Sequence, residues 1–71
     1  MRVTYERAAD AAMIYLREIE AGGSKHQCAV DCDEASGMIV LDIDGEGRLI
    51  SIEVIGARNG LPSELLALAP S

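Results

Sequence analysis

Seventy-one residues make one small domain, residues 1–71, with a limited core: 49% are apolar, but ten of these are alanine, there is no Phe or Trp, and aromatics are 3%. That inventory fits a two-layer fold, excludes a disordered chain, and leaves too little for a deep catalytic cleft walled on several sides. Twelve acidic residues against six scattered basic ones give a net charge of −6, so neither nucleic acid nor an anionic membrane is an expected partner.

The chain opens with residues 3–20, which admit two readings. Residues 8–20 have high helix propensity, with Gly22 placed to stop a helix. The rival is a β-hairpin: residues 3–5 as one strand, R-A-A-D (residues 7–10) as the turn, and residues 13–19 as the second strand. Met13, Ile14, Tyr15 and Leu16 are consecutive large apolar residues and suit a strand buried on both faces. Glu6, Asp10, Glu18 and Glu20 leave no apolar signal region here. With no apolar run of bilayer length, a cytoplasmic protein with reduced thiols is the expectation.

The second segment, residues 25–33, holds H-Q-C-A-V-D-C. His26, Cys28 and Cys32 raise a zinc or copper site, but a structural zinc wants four ligands and the chain has no second His or third Cys. The stretch is not helix-like. In an extended chain Cys28 and Cys32 share a face about 13 Å apart, at about 3.3 Å per residue, too far for one metal or a disulfide. Buried, inert thiols are expected. Cys28 and His26 lie on one strand face, so a Cys–His pair is geometrically possible, but nothing in the sequence offers an orienting third group or an oxyanion site.

The third segment is the clearest: M-I-V-L-D-I-D-G-E-G-R-L-I-S-I-E-V-I, residues 38–55. Ile39, Leu41 and Ile43 alternate with Val40, Asp42 and Asp44. Beyond a D-G-E-G turn, Ile50, Ile52 and Val54 alternate with Leu49, Ser51, Glu53 and Ile55. Period two in β-branched residues on both sides of a glycine-bearing turn predicts a β-hairpin turning at residues 44–48. Its buried face is Ile39, Leu41, Ile43, Ile50, Ile52 and Val54, with a register uncertain by one residue. Asp42, Asp44, Glu46, Gly47, Leu49 and Glu53 also sit at the spacing of a calcium-binding helix–loop–helix. Strands on either side argue against that use and for turn chemistry beside a solvated acidic face. The turn lacks the sequence and the following helix of a phosphate loop.

Residues 62–69 read as a short C-terminal helix, with Pro62 in the first turn, Ser63 as a possible cap, Leu65, Leu66 and Leu68 as an apolar edge, and Pro70 as the stop. Two turns cannot stand alone in water, so the helix must dock on the sheet.

Residues 5–16, Y-E-R-A-A-D-A-A-M-I-Y-L, and residues 41–55, L-D-I-D-G-E-G-R-L-I-S-I-E-V-I, resemble the small bacterial domain of unknown function 2283 family. Tyr5, Asp10, Ala11, Asp42, Asp44, Gly47, Arg48, Ile52 and Glu53 fit its pattern. Glu6 stands for the usual Asp, Ala12 and Met13 for Leu and Tyr, and Ser51 for Gly. Residues 21–36 lie outside the resemblance. It implies an antiparallel sheet with an N-terminal hairpin, and it implies no activity.

The reading is therefore α+β: a four-stranded, mostly antiparallel sheet of two β-hairpins with one short C-terminal helix. No catalytic, cofactor or metal residue is assigned. The expected function is a non-catalytic interaction module, homo-oligomeric, binding another macromolecule. Its rivals are a small enzyme using Cys28 or His26, and a metal-binding acidic hairpin. One helix covers one face, so Val40, Leu49 and Ile55, with Met38 nearby, are left on the other as a candidate subunit interface.

Overall fold

The computed structural model describes residues 1–18 and 23–70. Five strands form in chain order: β1 (Arg2–Glu6), β2 (Ala11–Tyr15), β3 (His26–Val30), β4 (Met38–Ile43) and β5 (Leu49–Ile55). Two single-turn helices follow, α1 (Ala57–Gly60) and α2 (Ser63–Leu66). The strands make one sheet in the order β1-β2-β5-β4-β3, and every neighbouring pair is antiparallel. The α+β class stands, but the sheet has five strands rather than four, and there are two helices rather than one. The additional strand is β3, from the middle segment, which pairs with β4 alone.

The N-terminal segment is a hairpin. Residues 7–10 turn the chain, and the Asp10 N–H donates to the Arg7 carbonyl at 3.2 Å. Helix propensity in residues 8–16 yields because β2 pairs on both sides, with β1 and with β5, and a central strand gains more from that pairing than propensity costs. The second strand begins at Ala11, two residues before the expected start. The strand end expected at Ile19 and the helix stop expected at Gly22 lie outside the described residues.

The long alternating segment forms β4 and β5 around a turn in which Asp44 N–H donates to the Arg48 carbonyl at 2.9 Å and Gly47 N–H to the Asp44 carbonyl at 3.1 Å. Gly47 has φ 81°, which a side chain would strain. The pairing runs from Met38↔Ile55 to Asp42↔Ser51 and then shifts to Ile43↔Leu49, so the one-residue uncertainty in register is a β-bulge that leaves Ile50 as the extra residue.

Cross-strand pairing carries the alternation across the whole sheet. One face bears Val3, Tyr5, Ala12, Ile14, Ile52, Val54, Ile39, Leu41, Cys28 and Val30. This is the face the helices touch: Ala12, Val54 and Ala57 form a buried cluster, with Tyr5, Ile52, Leu61 and Leu66 packed against it. Ser63 does not cap α2, whose N-cap is Pro62 without a side-chain hydrogen bond. Two four-residue helices, each about 6 Å long, cannot cover a body 32 × 29 Å across. They seal the corner over β1, β2 and β5, while all five residues of β3 are exposed.

Candidate functional site

The acidic residues of the hairpin split into two groups. Asp44 belongs to the turn. Its Oδ1 accepts the backbone N–H groups of Glu46 and Arg48, both at 2.9 Å, and its Oδ2 accepts from the Arg17 guanidinium at 2.9 Å. The Arg48 N–H, with Glu46 N–H and the Arg17 and Arg48 charges, holds this carboxyl below the ordinary aspartate value against the opposing effect of burial. Glu46 turns outward to Arg48 at 3.2 Å. The calcium-like spacing is thus used for turn geometry, and Asp44 and Glu46 do not face Asp42.

Asp42 and Glu53 form the second group. Asp42 pairs with Ser51 across β4 and β5, and Val40 with Glu53, so Glu53 is the diagonal neighbour of Asp42 on the outer face. Asp42 is only 2% exposed. Its Oδ2 accepts the hydroxyl of fully buried Ser51 at 2.7 Å; its Oδ1 accepts from Gln27 Nε2 at 2.9 Å and from Ser24 Oγ at 3.3 Å. Gln27 Nε2 also reaches Glu53 Oε2 at 3.2 Å. Burial raises the Asp42 carboxyl, but the hydrogen bonds from Ser51, Gln27, Glu53 and Ser24 together hold it below the ordinary value. Glu53 goes the other way: burial, then its hydrogen bond to Asp42 and the Asp42 charge, push its carboxyl up, with Gln27 opposing. The two neighbouring carboxyls are shifted in opposite directions.

This pair borders a shallow depression of about 310 Å³ with Arg2, Met13, Tyr15 and Gln27 on its rim. The Arg2 guanidinium stacks 4.2 Å over the Tyr15 ring. Both carboxylates line the depression, with Asp42 nearly covered by its partners Ser51, Gln27 and Ser24. The arrangement clamps β3, β4 and β5 together through side chains. The sequence assigns no site role to Ser24, Gln27 or Ser51, although Ser51 is a small polar residue directly opposite Asp42.

His26 and Cys28 fall on the opposite face. Gln27 points to Asp42 and Glu53, so its strand neighbours point to the helix side. The acid pair therefore cannot orient His26 or activate Cys28. Cys28 and Cys32 are both free and both exposed, which corrects the expectation of buried thiols: the edge strand has no outer neighbour to bury Cys28, and Cys32 lies beyond the strand's end. Cys32 donates weakly to Glu34 at 3.6 Å. Among the described residues no group of three or more His, Cys, Asp and Glu is placed to hold a metal ion, and no helix is long and apolar enough to cross a membrane.

Asp10 is the other hub, and it closes the sheltered corner. Its Oδ1 accepts the Tyr5 hydroxyl at 2.7 Å and the Arg58 N–H at 3.0 Å; its carbonyl accepts the N–H groups of Gly56 and Ala57 at 2.8 and 3.0 Å. The Tyr5 hydroxyl, then the Arg58 N–H, hold its carboxyl below the ordinary aspartate value. Asp10 pays for this position with φ 49°, a region few residues other than Gly, Asn and Asp visit.

A second surface lies on the helix side, beyond the reach of α1 and α2. Ile14, Leu41, Ile43 and Ile52 are half-buried there, Cys28 is exposed, and Val30 is 40% exposed. No Asp, Glu, Lys or Arg of β2–β5 faces this side. On the outer face Met38, 58% exposed, and Ile55 pair in one corner, next to Ala11 and Glu6.

The family model described as Protein of unknown function (DUF2283) matches residues 2–58, all five strands and the start of α1. No curated protein and no solved structure matches the chain.

Proposed function

The chain belongs to the DUF2283 family, whose function is not known, and we propose from its own geometry that it is a non-catalytic, cytoplasmic interaction module that works as a homo-oligomer. The observation that carries this is the uncharged β3–β4 side of the sheet, left open by the helices. A second copy meets this side at its β3 border. A chain of net charge −6 repels its like, so two copies meet where neither presents charge, and Leu41, Cys28 and Val30 offer that surface. Domains of this size rarely draw more than about 3–5 kcal/mol from one core. Among the described residues the buried apolar set is Val3, Ala12, Ile50, Val54 and Ala57, so association adds burial where it is scarce. Exposed free thiols fit a reducing compartment.

The absence of catalysis is inferred from placement: His26 and Cys28 stand on one face, the acid pair on the other. Sedimentation equilibrium at micromolar concentration tests the association. The expected mass is a dimer or larger, and Val30→Lys, which puts a charge on the uncharged side, shifts it toward the monomer. Val40→Lys on the outer face leaves it unchanged. A wild-type chain of monomer mass overturns the proposal.

A further inference from the structure

We propose that two copies join edge to edge along β3, antiparallel, about a two-fold axis beside Cys28, so that two five-stranded sheets become one. This rests on the self-association above and specifies its geometry.

The sheet has two edges, β1 and β3, and they are unequally guarded. Natural edges are blunted by charged side chains, proline, bulges or a covering element. The β1 edge carries Arg2 and Glu6, and α2 packs against it. The β3 strand, His-Gln-Cys-Ala-Val, has no acidic residue, Lys, Arg or Pro. The bulge of this sheet lies between β4 and β5.

Backbone direction fixes which groups β3 presents outward. The Lys25 N–H donates to the Ile43 carbonyl at 2.9 Å, so the Ile43 carbonyl aims at β3. Along an antiparallel strand this direction alternates, so Leu41 and Ile39 also bond toward β3, and their partners Cys28 and Val30 bond back toward β4. The N–H and C=O groups of Gln27 and Ala29 are left pointing away from the sheet.

Those groups are self-complementary. In an antiparallel pairing centred on Cys28, Gln27 of one copy lies opposite Ala29 of the other, and each exchanges both backbone bonds with its opposite number. His26 falls opposite Val30, and Cys28 opposite Cys28. This register engages the full strand, whereas centring on Gln27 or Ala29 leaves one end unpaired. The contact is isologous, as a closed two-fold dimer requires. It also keeps the acidic groups apart: Asp42 of one copy and β4 of the other are separated by three strand spacings, roughly 14 Å at ~4.8 Å each, beyond the ~8 Å over which charges act in physiological salt. Because the axis stands perpendicular to the sheet, the uncharged patches around Leu41, Cys28 and Val30 merge on one side.

Cysteine trapping reads this register directly. Across the axis Cys28 and its copy form a non-hydrogen-bonded pair with Cα atoms about 4.5 Å apart, inside the disulfide range of about 4.4–6.8 Å. In the same dimer two residues 29 lie about 8 Å apart, outside it. The experiment compares Cys32→Ser, which keeps Cys28 alone, with Cys28→Ser/Cys32→Ser/Ala29→Cys, under the thiol oxidant diamide, which takes up the two electrons and two protons the thiols release. Sedimentation equilibrium is run on each reduced variant. The expected result is a dimer for both, with the Cys28 disulfide forming at least about tenfold faster, since one pair is held in bonding geometry and the other is not. Dimeric mass with trapping at residue 29 as fast as at Cys28, or with none at Cys28, overturns the edge geometry and leaves self-association standing. Monomeric mass overturns both.

Discussion

The two ends of the sheet are held by different means. At the β1–β2–β5 end, backbone binds backbone: the Asp10 carbonyl takes two N–H groups from the start of α1, its carboxylate takes a third, and Gly37, Gly56 and Gly60 let main chains approach to contact. At the β3 end the strand has one ladder partner, and beyond that ladder Gln27 and Ser24 tie it to Asp42 and Glu53. The first end tolerates almost no change in shape. The second tolerates change because little packs on it, and a strand with few buried contacts is the one free to add a partner. The contacts that hold the fold are concentrated at one end of one small sheet.

Adding a single methyl group at each end breaks the comparison most sharply. A Cβ built at Gly37 comes within 2.7 Å of the Ile55 carbonyl oxygen and 3.2 Å of both the Gly56 carbonyl oxygen and a Val54 methyl. Two of those neighbours are backbone and cannot swing aside. Gly37→Ala is expected to cost about 1–3 kcal/mol, as overpacking does, and to lower Tm by roughly 4–8 °C for each kcal/mol lost. Ala29→Val, on exposed β3, is expected to stay within about 0.5 kcal/mol. Thermal unfolding by circular dichroism compares them; equal losses would mean that the two ends are not differently packed.

A smaller effect is expected between the ends, where Ser51 is fully buried on β5 and donates to Asp42 at 2.7 Å. Ser51→Ala removes a hydrogen bond to a charged acceptor and leaves Asp42 with Gln27 and Ser24, at a cost of about 1.5 kcal/mol. The loss should be read in urea midpoint with an unchanged denaturant slope. A neutral result would mean that Asp42 does not need Ser51 to remain ionised.

These residues also mark where the sequence was legible. The β4–β5 hairpin was, because β-branched alternation on both sides of a glycine turn has few other solutions; its face assignments hold except at Leu49, which the bulge pairs with Ile43 on the face opposite to the one expected. The β3 strand was not separated as a strand of the sheet, because five residues with no large apolar alternation say nothing about which neighbour they find. The same lack of a neighbour explains why its thiol is exposed. The sequence assigns no element to residues 57–60; they turn helical because the Asp10 carbonyl and carboxylate supply acceptors for the first N–H groups. Spacing along the chain put Asp42 in one series with Asp44, Glu46 and Glu53, and of these antiparallel pairing keeps only Glu53 beside it. Helix against hairpin in residues 8–16 was undecidable from local propensity, since β5, the partner that decides it, begins more than thirty residues later.

The smallest effect is a pH dependence that divides the Asp42–Glu53 pair. Glu53 has its folded carboxyl raised above the ordinary value of 4.5. The native state therefore binds this proton more tightly than the unfolded chain, and the contribution is present below pH 4.5 and lost as pH rises through the folded value. Asp42 is lowered from 3.8, so its contribution is present above that value and lost as pH falls through the folded one. Asp10 and Asp44 are shifted in the same direction as Asp42. Glu53→Gln removes only the first of these effects. At pH 4 an amide resembles the protonated acid, so variant and wild type should unfold at similar urea concentrations. Toward pH 7 the wild type alone carries two adjacent carboxylates, and the variant should become the more stable. Its advantage should shrink in Asp42→Asn, where Glu53 loses its charged neighbour. A difference between Glu53→Gln and wild type that is the same at pH 4 and pH 7 would mean that the Glu53 carboxyl is not raised by its burial beside Asp42.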